Sequence, residues 1–184
     1  MNGTKPTTRE KILKAAADVA NESGSANLSL DAVAHRAGVS KGGLLYNFPS
    51  KAKLLQGLVE SYIVEFEASL DAACAAGAGR KGQLMAAYLS FSADECGTPE
   101  TRPSGILAAM AEDPEMLDPV RVHKRRLLDR LMAEADDPAR MLTAFLVVEG
   151  LRSLQLLDID VLTGAERQMA LDSLRAEGSA LNAD

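Results

Sequence analysis

Apolar residues recur along this chain at spacings of three and four, the period of one face of an α-helix. Ile12, Leu13, Ala16, Val19 and Ala20 predict a first helix over Thr8–Glu22, stopped at Ser23-Gly24 because glycine readily takes the left-handed conformation at a helix end. Ser29 offers an N-cap for a short helix over Leu30–Ala37 with Leu30, Val33 and Ala34 facing inward. Gly38 ends that helix and Ser40 caps the next, over Lys41–Asn47. The tight turn Ala37-Gly38-Val39-Ser40 joining two short helices is a helix-turn-helix pattern. After Phe48-Pro49, Ser50 caps a long helix reaching Ala76, in which Leu54, Leu55, Leu58, Val59, Tyr62, Ile63 and Phe66 recur about once per turn.

The glycine-rich stretch Ala76–Gly82 predicts a break, and Gln83–Glu95 resumes a helix in which Leu84, Tyr88 and Phe91 share a face. A loop over Cys96–Pro103 follows. Further helices are predicted at Ser104–Ala111, Pro114–Ala135, Pro138–Leu157 and Thr163–Glu177, with Pro114 and Pro138 in first-turn positions where a missing N–H costs nothing and Pro119 bending or restarting its helix. The expected fold is all-α: a three-helix domain over residues 1–50, then a helical body over 51–184 entered through a linking helix at 51–76.

Composition narrows the function more than the fold. With 47% hydrophobic and 25% charged residues the 184-residue chain is neither disordered nor a rod. No stretch nears the roughly 20 apolar residues of a bilayer span. The polar start lacks the apolar segment of a secretory leader, so a cytoplasmic location and no membrane partner are expected. Cys74 and Cys96 stand in no metal-ligand spacing, and His35 and His123 are the only histidines. Side chains that do nucleophilic and acid/base work are scarce, and the expectation is a protein without metal, cofactor or enzymatic activity.

Net charge is −6, but it is unevenly spread. Residues 1–55 carry eight Lys/Arg against four Asp/Glu, whereas the rest carry 12 against 22. A basic head on an acidic body suits a polyanion partner at one end only, and nucleic acid is the first candidate, with a merely solvated basic face as the alternative.

The ordered run Leu28-Ser29-Leu30 through Val33-Ala34, Ala37-Gly38-Val39-Ser40, Tyr46-Asn47-Phe48 and Ser50-Lys51, ahead of a long apolar helix, resembles the TetR family of bacterial transcription regulators. The likeness is detailed over residues 8–55 and architectural beyond. It implies a homodimer that binds double-stranded DNA at a palindromic operator and is released by a small molecule, with a repressor as the usual polarity. A regulator without an inducer, or an activator, is the alternative. By the same resemblance Ser29, Tyr46, Asn47 and Lys51 hold the phosphate backbone, while Lys41, Leu44 and the neighbouring backbone, that of Gly42 and Gly43 included, face the bases. Ser40 and Lys41 lie at the helix N-terminus, and Leu44 or Leu45 offers a thymine-methyl contact; read alone, the two serines are caps, Tyr46 packs under the turn and Lys51 is a surface charge. Two departures stand out. Asn47 occupies a position commonly His in the family, and the Gly42-Gly43 pair leaves the recognition helix either loose or able to approach the duplex closely.

For the body, the resemblance implies a ligand site and a dimer seam. Soft and aromatic side chains with polar groups among them suggest a small lipophilic ligand among Met85, Tyr88, Phe91, Met110, His123, Leu127, Phe145 and Glu149, with Met116 and Met132 nearby; plain core packing is the alternative. Glu149, in an otherwise apolar run, is expensive unless paired; a cationic ligand, the dimer seam and Arg152 one turn on are its candidate partners, with Arg152 the plainest. His123-Lys124-Arg125-Arg126 reads as a solvated helix face. Leu142, Leu146, Leu151 and Leu154 on one helix, with Met169 and Leu174 on the next, are expected at a two-fold interface or else buried within one subunit.

Overall fold

The capping and periodicity in the sequence translate into helices almost directly. A computed structural model of the chain describes residues 6–23, 28–75, 83–97, 109 and 112–180. Among them there are eight α-helices and no strand: α1 (Thr8–Ser23), α2 (Leu30–Ala37), α3 (Lys41–Asn47), α4 (Lys51–Ala75), α5 (Gln83–Gly97), α6 (Asp118–Glu134), α7 (Pro138–Leu156) and α8 (Gly164–Ala180). No helix among the described residues is long and apolar enough to cross a membrane.

Two helix starts carry a reciprocal cap. The Thr7 N–H donates to Glu10 Oε2 (2.7 Å) while the Glu10 N–H donates back to Thr7 Oγ1 (3.2 Å), and Thr163 and Glu166 repeat this ahead of α8 (2.8 and 3.3 Å). Those hydrogen bonds favour the charged carboxylates and lower the pKa of both Glu10 and Glu166. Asp137 caps α7 through the Arg140 N–H (3.0 Å), with Pro138 in the first turn as expected.

The single helix expected over Pro114–Ala135 is divided. A 3-10 turn at Pro114–Leu117, capped by Asp113, precedes α6, because Pro119 has no N–H with which to continue a ladder from the preceding turn. At the end of α5 the helix outruns its predicted limit at Glu95. Cys96 is buried, and its carbonyl receives the Gln155 amide (2.9 Å) and the Arg167 guanidinium (3.2 Å). The predicted break at 76–82 and most of the helix expected at Ser104–Ala111 lie outside the described residues.

Backbone packing divides the chain into two compact units: Met1–Ile63 with Pro103–Arg121, and Val64–Arg102 with Val122–Asp184. The first is built around Ile12, Ala16, Val33, Leu44, Leu54, Leu55 and Val59. The second is built around Phe66, Tyr88, Leu89, Leu131, Met141 and Val148. Helices α4 and α6 supply residues to both units.

Gly57 marks a close approach of helices in the first unit. A Cβ there would lie 2.8 Å from Phe48 Cε1 and 3.2 Å from Leu13 Cδ2, so α4 approaches α1 and Phe48 as closely as only glycine permits.

Candidate functional site

The turn between α2 and α3 follows from three residues. Gly38 takes the left-handed conformation (φ 66°), and its N–H closes α2 on the Ala34 and His35 carbonyls. Ser29 Oγ accepts the Ala32 N–H (3.2 Å), and Ser40 Oγ accepts the Gly43 N–H (3.0 Å). Arg36 forks onto both carboxylate oxygens of Glu22, fixing α2 to α1; this pair raises the Arg36 pKa and lowers that of Glu22.

These constraints leave one face of α3 at the surface. Ser40, Lys41, Gly42, Leu45 and Tyr46 are exposed, and Tyr46 is 91% exposed, so it does not pack under the turn. Leu44 is the correction: it is fully buried in the core of the first unit and cannot reach a base edge, whereas its neighbour Leu45 stands outside. A seven-residue helix carries too little periodicity to tell those two leucines apart in advance. Lys41 Nζ is held by Asp31 (2.9 Å) and Lys51 Nζ by Glu112 (3.4 Å), neither of which sequence spacing announces. Asn47 turns its amide back onto the Gly43 carbonyl (2.9 Å), and Gly43 itself is half-buried.

Among the described residues of the second unit, the expected ligand residues fall in several different surroundings. Met85 borders a hollow of about 80 Å³ with Asp137 and Arg140. His123 and Leu127 border a separate groove of about 190 Å³, with Glu67, Asp71, Arg126 and Arg130 across α4 and α6. Met110 lies outside the described residues, and Met116 packs on the core of the first unit rather than the second. Tyr88 and Phe145 are buried and stack at 5.9 Å, and half-buried Phe91 meets Phe66 edge to face at 5.5 Å.

Glu149 is paired, as the cost of an acid in an apolar run requires. It accepts from Arg152 Nη1 (3.2 Å) and from the Lys124 ammonium, a partner 25 residues away. Arg152 also donates to Glu95 (2.5 and 3.1 Å) and Ser92 Oγ (3.1 Å). His123 and Lys124 therefore depart from the solvated face expected of their run. The His123 ring is tucked against Phe66 at 5.5 Å with Nδ1 3.0 Å from Glu67 Oε1. Burial pushes the Tyr88 phenol above its ordinary range, and its hydroxyl lies beside Ser92 without a well-formed hydrogen bond.

Of the residues expected at a subunit seam, Leu142, Leu146 (60% exposed) and Met169 (71% exposed) present apolar surface, and Leu154 is half-buried. Leu151 and Leu174 are instead buried in the core of their own unit, where they face other helices of the same chain. Val147 adds an exposed side chain beside Leu146 that the leucine pattern does not reveal.

Comparison with known proteins covers both parts of the chain. Residues 12–58 match the model for bacterial regulatory proteins of the tetR family, and residues 82–177 match the tetracyclin repressor-like C-terminal domain. Over 150 residues the chain is 29% identical to the HTH-type transcriptional regulator BetI of Agrobacterium fabrum (strain C58), covering 76% of this chain and 71% of that protein. It is 40% identical over 60 residues to the nucleoid occlusion factor SlmA of Marinomonas sp. (strain MWYL1), a match spanning 33% of this chain and 30% of that relative. The crystal structure of the multidrug binding protein EbrR complexed with imidazole shares the fold, with a TM-score of 0.62 and 24% identity over 96% of this chain and 90% of that one. With a capped helix-turn-helix in its first unit and a family-matched helical domain after it, the chain belongs to the TetR family of transcriptional regulators and carries that family's DNA-binding domain.

Proposed function

We propose that this protein is a homodimeric repressor that binds a palindromic operator in the cytoplasm and is released when a small lipophilic molecule occupies its body. Residues 1–50, with Lys51 at the start of α4, bind DNA, and the body over residues 51–184 carries the ligand site and the dimer seam. The observation that carries the reading is the outward face of α3, where Ser40, Lys41, Gly42, Leu45 and fully projecting Tyr46 stand together on a short, well-capped helix. Tyr46 and Lys51 hold phosphates, and Lys41, released from Asp31, meets the bases with Leu45 as a thymine-methyl contact. Exposed Leu142, Leu146 and Val147 on α7 with Met169 on α8 support a two-fold seam, which matches two half-sites. EbrR, solved with imidazole and with malachite green, lends support to a ligand-responsive body.

Selection of genomic fragments by the purified full-length protein, followed by anisotropy titration of the winning fragment across a salt series, tests this reading. The expected result is an inverted repeat bound by two subunits, with a Kd on the order of 10⁻⁸ M or tighter. No enrichment over random DNA from a folded dimer would overturn it.

Two substitutions probe the DNA-facing residues. Lys51→Ala should weaken the operator and random DNA by the same factor and reduce the salt slope by about one for each phosphate no longer neutralised; an unchanged slope removes Lys51 from the phosphate set. Gly42→Ala meets only open space in the free protein, where Ser40 Oγ at 4.0 Å is the nearest atom. It should therefore stabilise the protein by about 1 kcal/mol through helix propensity. Operator affinity should nevertheless fall severalfold, because α3 is already ordered and the missing side chain serves close approach to the duplex. Equal or higher affinity would assign Gly42 to helix loosening instead.

A further inference from the structure

Aromatic residues make up 4% of this sequence, yet Phe66, Tyr88, Phe91 and Phe145 gather in one unit. What stands against Phe66 and Tyr88 is the guanidinium of Arg152, 5.0 Å from one ring centroid and 5.9 Å from the other. Around its edge lie Glu95 at 2.5 Å, Glu149 at 3.2 Å and Ser92 Oγ at 3.1 Å, and the Arg152 side chain is only 14% exposed. Two aromatic faces and two carboxylates form a cage for a cation. Here the cage is closed on a cation that the chain itself supplies.

On the reading that the body holds a ligand, we infer that this ligand is an organic cation with a planar, delocalised charge, of the amidinium or guanidinium class, that competes with Arg152 for the cage. An anion entering the cage would face Glu95, Glu149 and the negative faces of both rings. A neutral ligand displacing Arg152 would take from Glu95, about four-fifths buried, its ion pair with the guanidinium and put no charge in its place. A compact ammonium lacks the flat fork of N–H groups that meets Glu95 while lying on a ring. Tyr88 supplies the remaining recognition, for its fully buried hydroxyl makes no hydrogen bond of good geometry and offers an acceptor to a ligand N–H. His123 connects the two places: it borders the 190 Å³ groove, and its ring packs edge-on against Phe66 of the cage. When the ligand enters, Arg152 leaves, and Glu149 retains Lys124.

Calorimetric titration of the full-length protein with benzamidinium chloride, with benzamide and benzoate as neutral and anionic counterparts, tests the assignment. A tethered competitor acts at an effective concentration on the order of millimolar, so Arg152→Ala should bind benzamidinium roughly tenfold more tightly than the parent protein. Arg152→Lys, which keeps a cation in place and so protects the fold, should show a smaller gain, and Glu95→Gln should abolish binding. Benzamide and benzoate should bind none of these proteins. Benzamidinium affinity unchanged by Arg152→Ala and Arg152→Lys, or benzoate binding as well as benzamidinium, would overturn the inference. Operator anisotropy with the same compounds separates this inference from the release mechanism. Tight benzamidinium binding without loss of DNA sustains the cage and sinks ligand release, whereas DNA release by an anionic or neutral compound alone sinks the cage and sustains release.

Discussion

Glu149→Ala is expected to cost about 2–3 kcal/mol of unfolding free energy, below the 3–5 kcal/mol typical when one partner of a fully buried ion pair is removed. The reduction reflects partial hydration, since the Glu149 side chain retains 17% of its exposure and Lys124 39%. Removal of the carboxylate strips Lys124 of this salt bridge and takes from Arg152 one of its glutamate partners, Glu95 being another. Urea unfolding checks this: the midpoint should fall with an unchanged slope. Lys124→Met in the Glu149→Ala background should recover part of the loss, because it removes the orphaned ammonium while keeping its apolar stem. A midpoint within error of the parent protein would mean that these charges are solvated and that the cluster adds nothing to stability.

The second large effect is expected at Gly57, where valine should destabilise the protein by about 2 kcal/mol. Its Cβ would fall 2.8 Å from Phe48 Cε1 and 3.2 Å from Leu13 Cδ2, and Phe48 and Leu13 are both buried, so neither can swing into solvent. Overpacking of this kind costs about 1–3 kcal/mol, and the few tenths gained in helix propensity over glycine do not offset it. Gly57→Ala should be milder, since its propensity gain of about 1 kcal/mol opposes the clash. For a chain of this length the valine variant should melt about 4–8 °C lower. Trimming the obstacle with Phe48→Leu should restore part of the difference, and a valine variant as stable as the parent would show that α4 can shift away from α1 without penalty.

How legible each feature is in the sequence depends on the range of the interaction behind it. Ser29, Gly38 and Ser40 act on backbone groups within four residues of themselves, and each stands where its cap predicts. The same holds for Pro138 and for the long apolar stripe of α4. The Thr7/Glu10 and Thr163/Glu166 boxes are equally local, since both follow a threonine-x-x-glutamate spacing. Contacts made across the fold are another matter. Glu149 announces its need for a counter-charge, but its sequence neighbour Arg152 is only half of the answer; Lys124 lies 25 residues from Glu149, and Glu95 joins the cluster from 57 residues before Arg152. Periodicity identifies Leu151 and Leu174 as buried without saying whether the burial lies inside one subunit or between two. In α3 the seven residues that decide which leucine faces outward are too few for any period to speak.

The chain contains no tryptophan and three tyrosines, and two of these stand at opposite extremes: Tyr46 projects from α3 at 91% exposure while Tyr88 is fully enclosed beside Arg152. Tyrosine emission, usually masked by indole, is therefore the intrinsic optical signal of this molecule. Tyr46→Phe and Tyr88→Phe each remove one contribution while preserving ring shape, so the difference in ultraviolet fluorescence between the unlabelled parent and each variant isolates the signal of the helix-turn-helix or of the aromatic cage above the shared background of Tyr62.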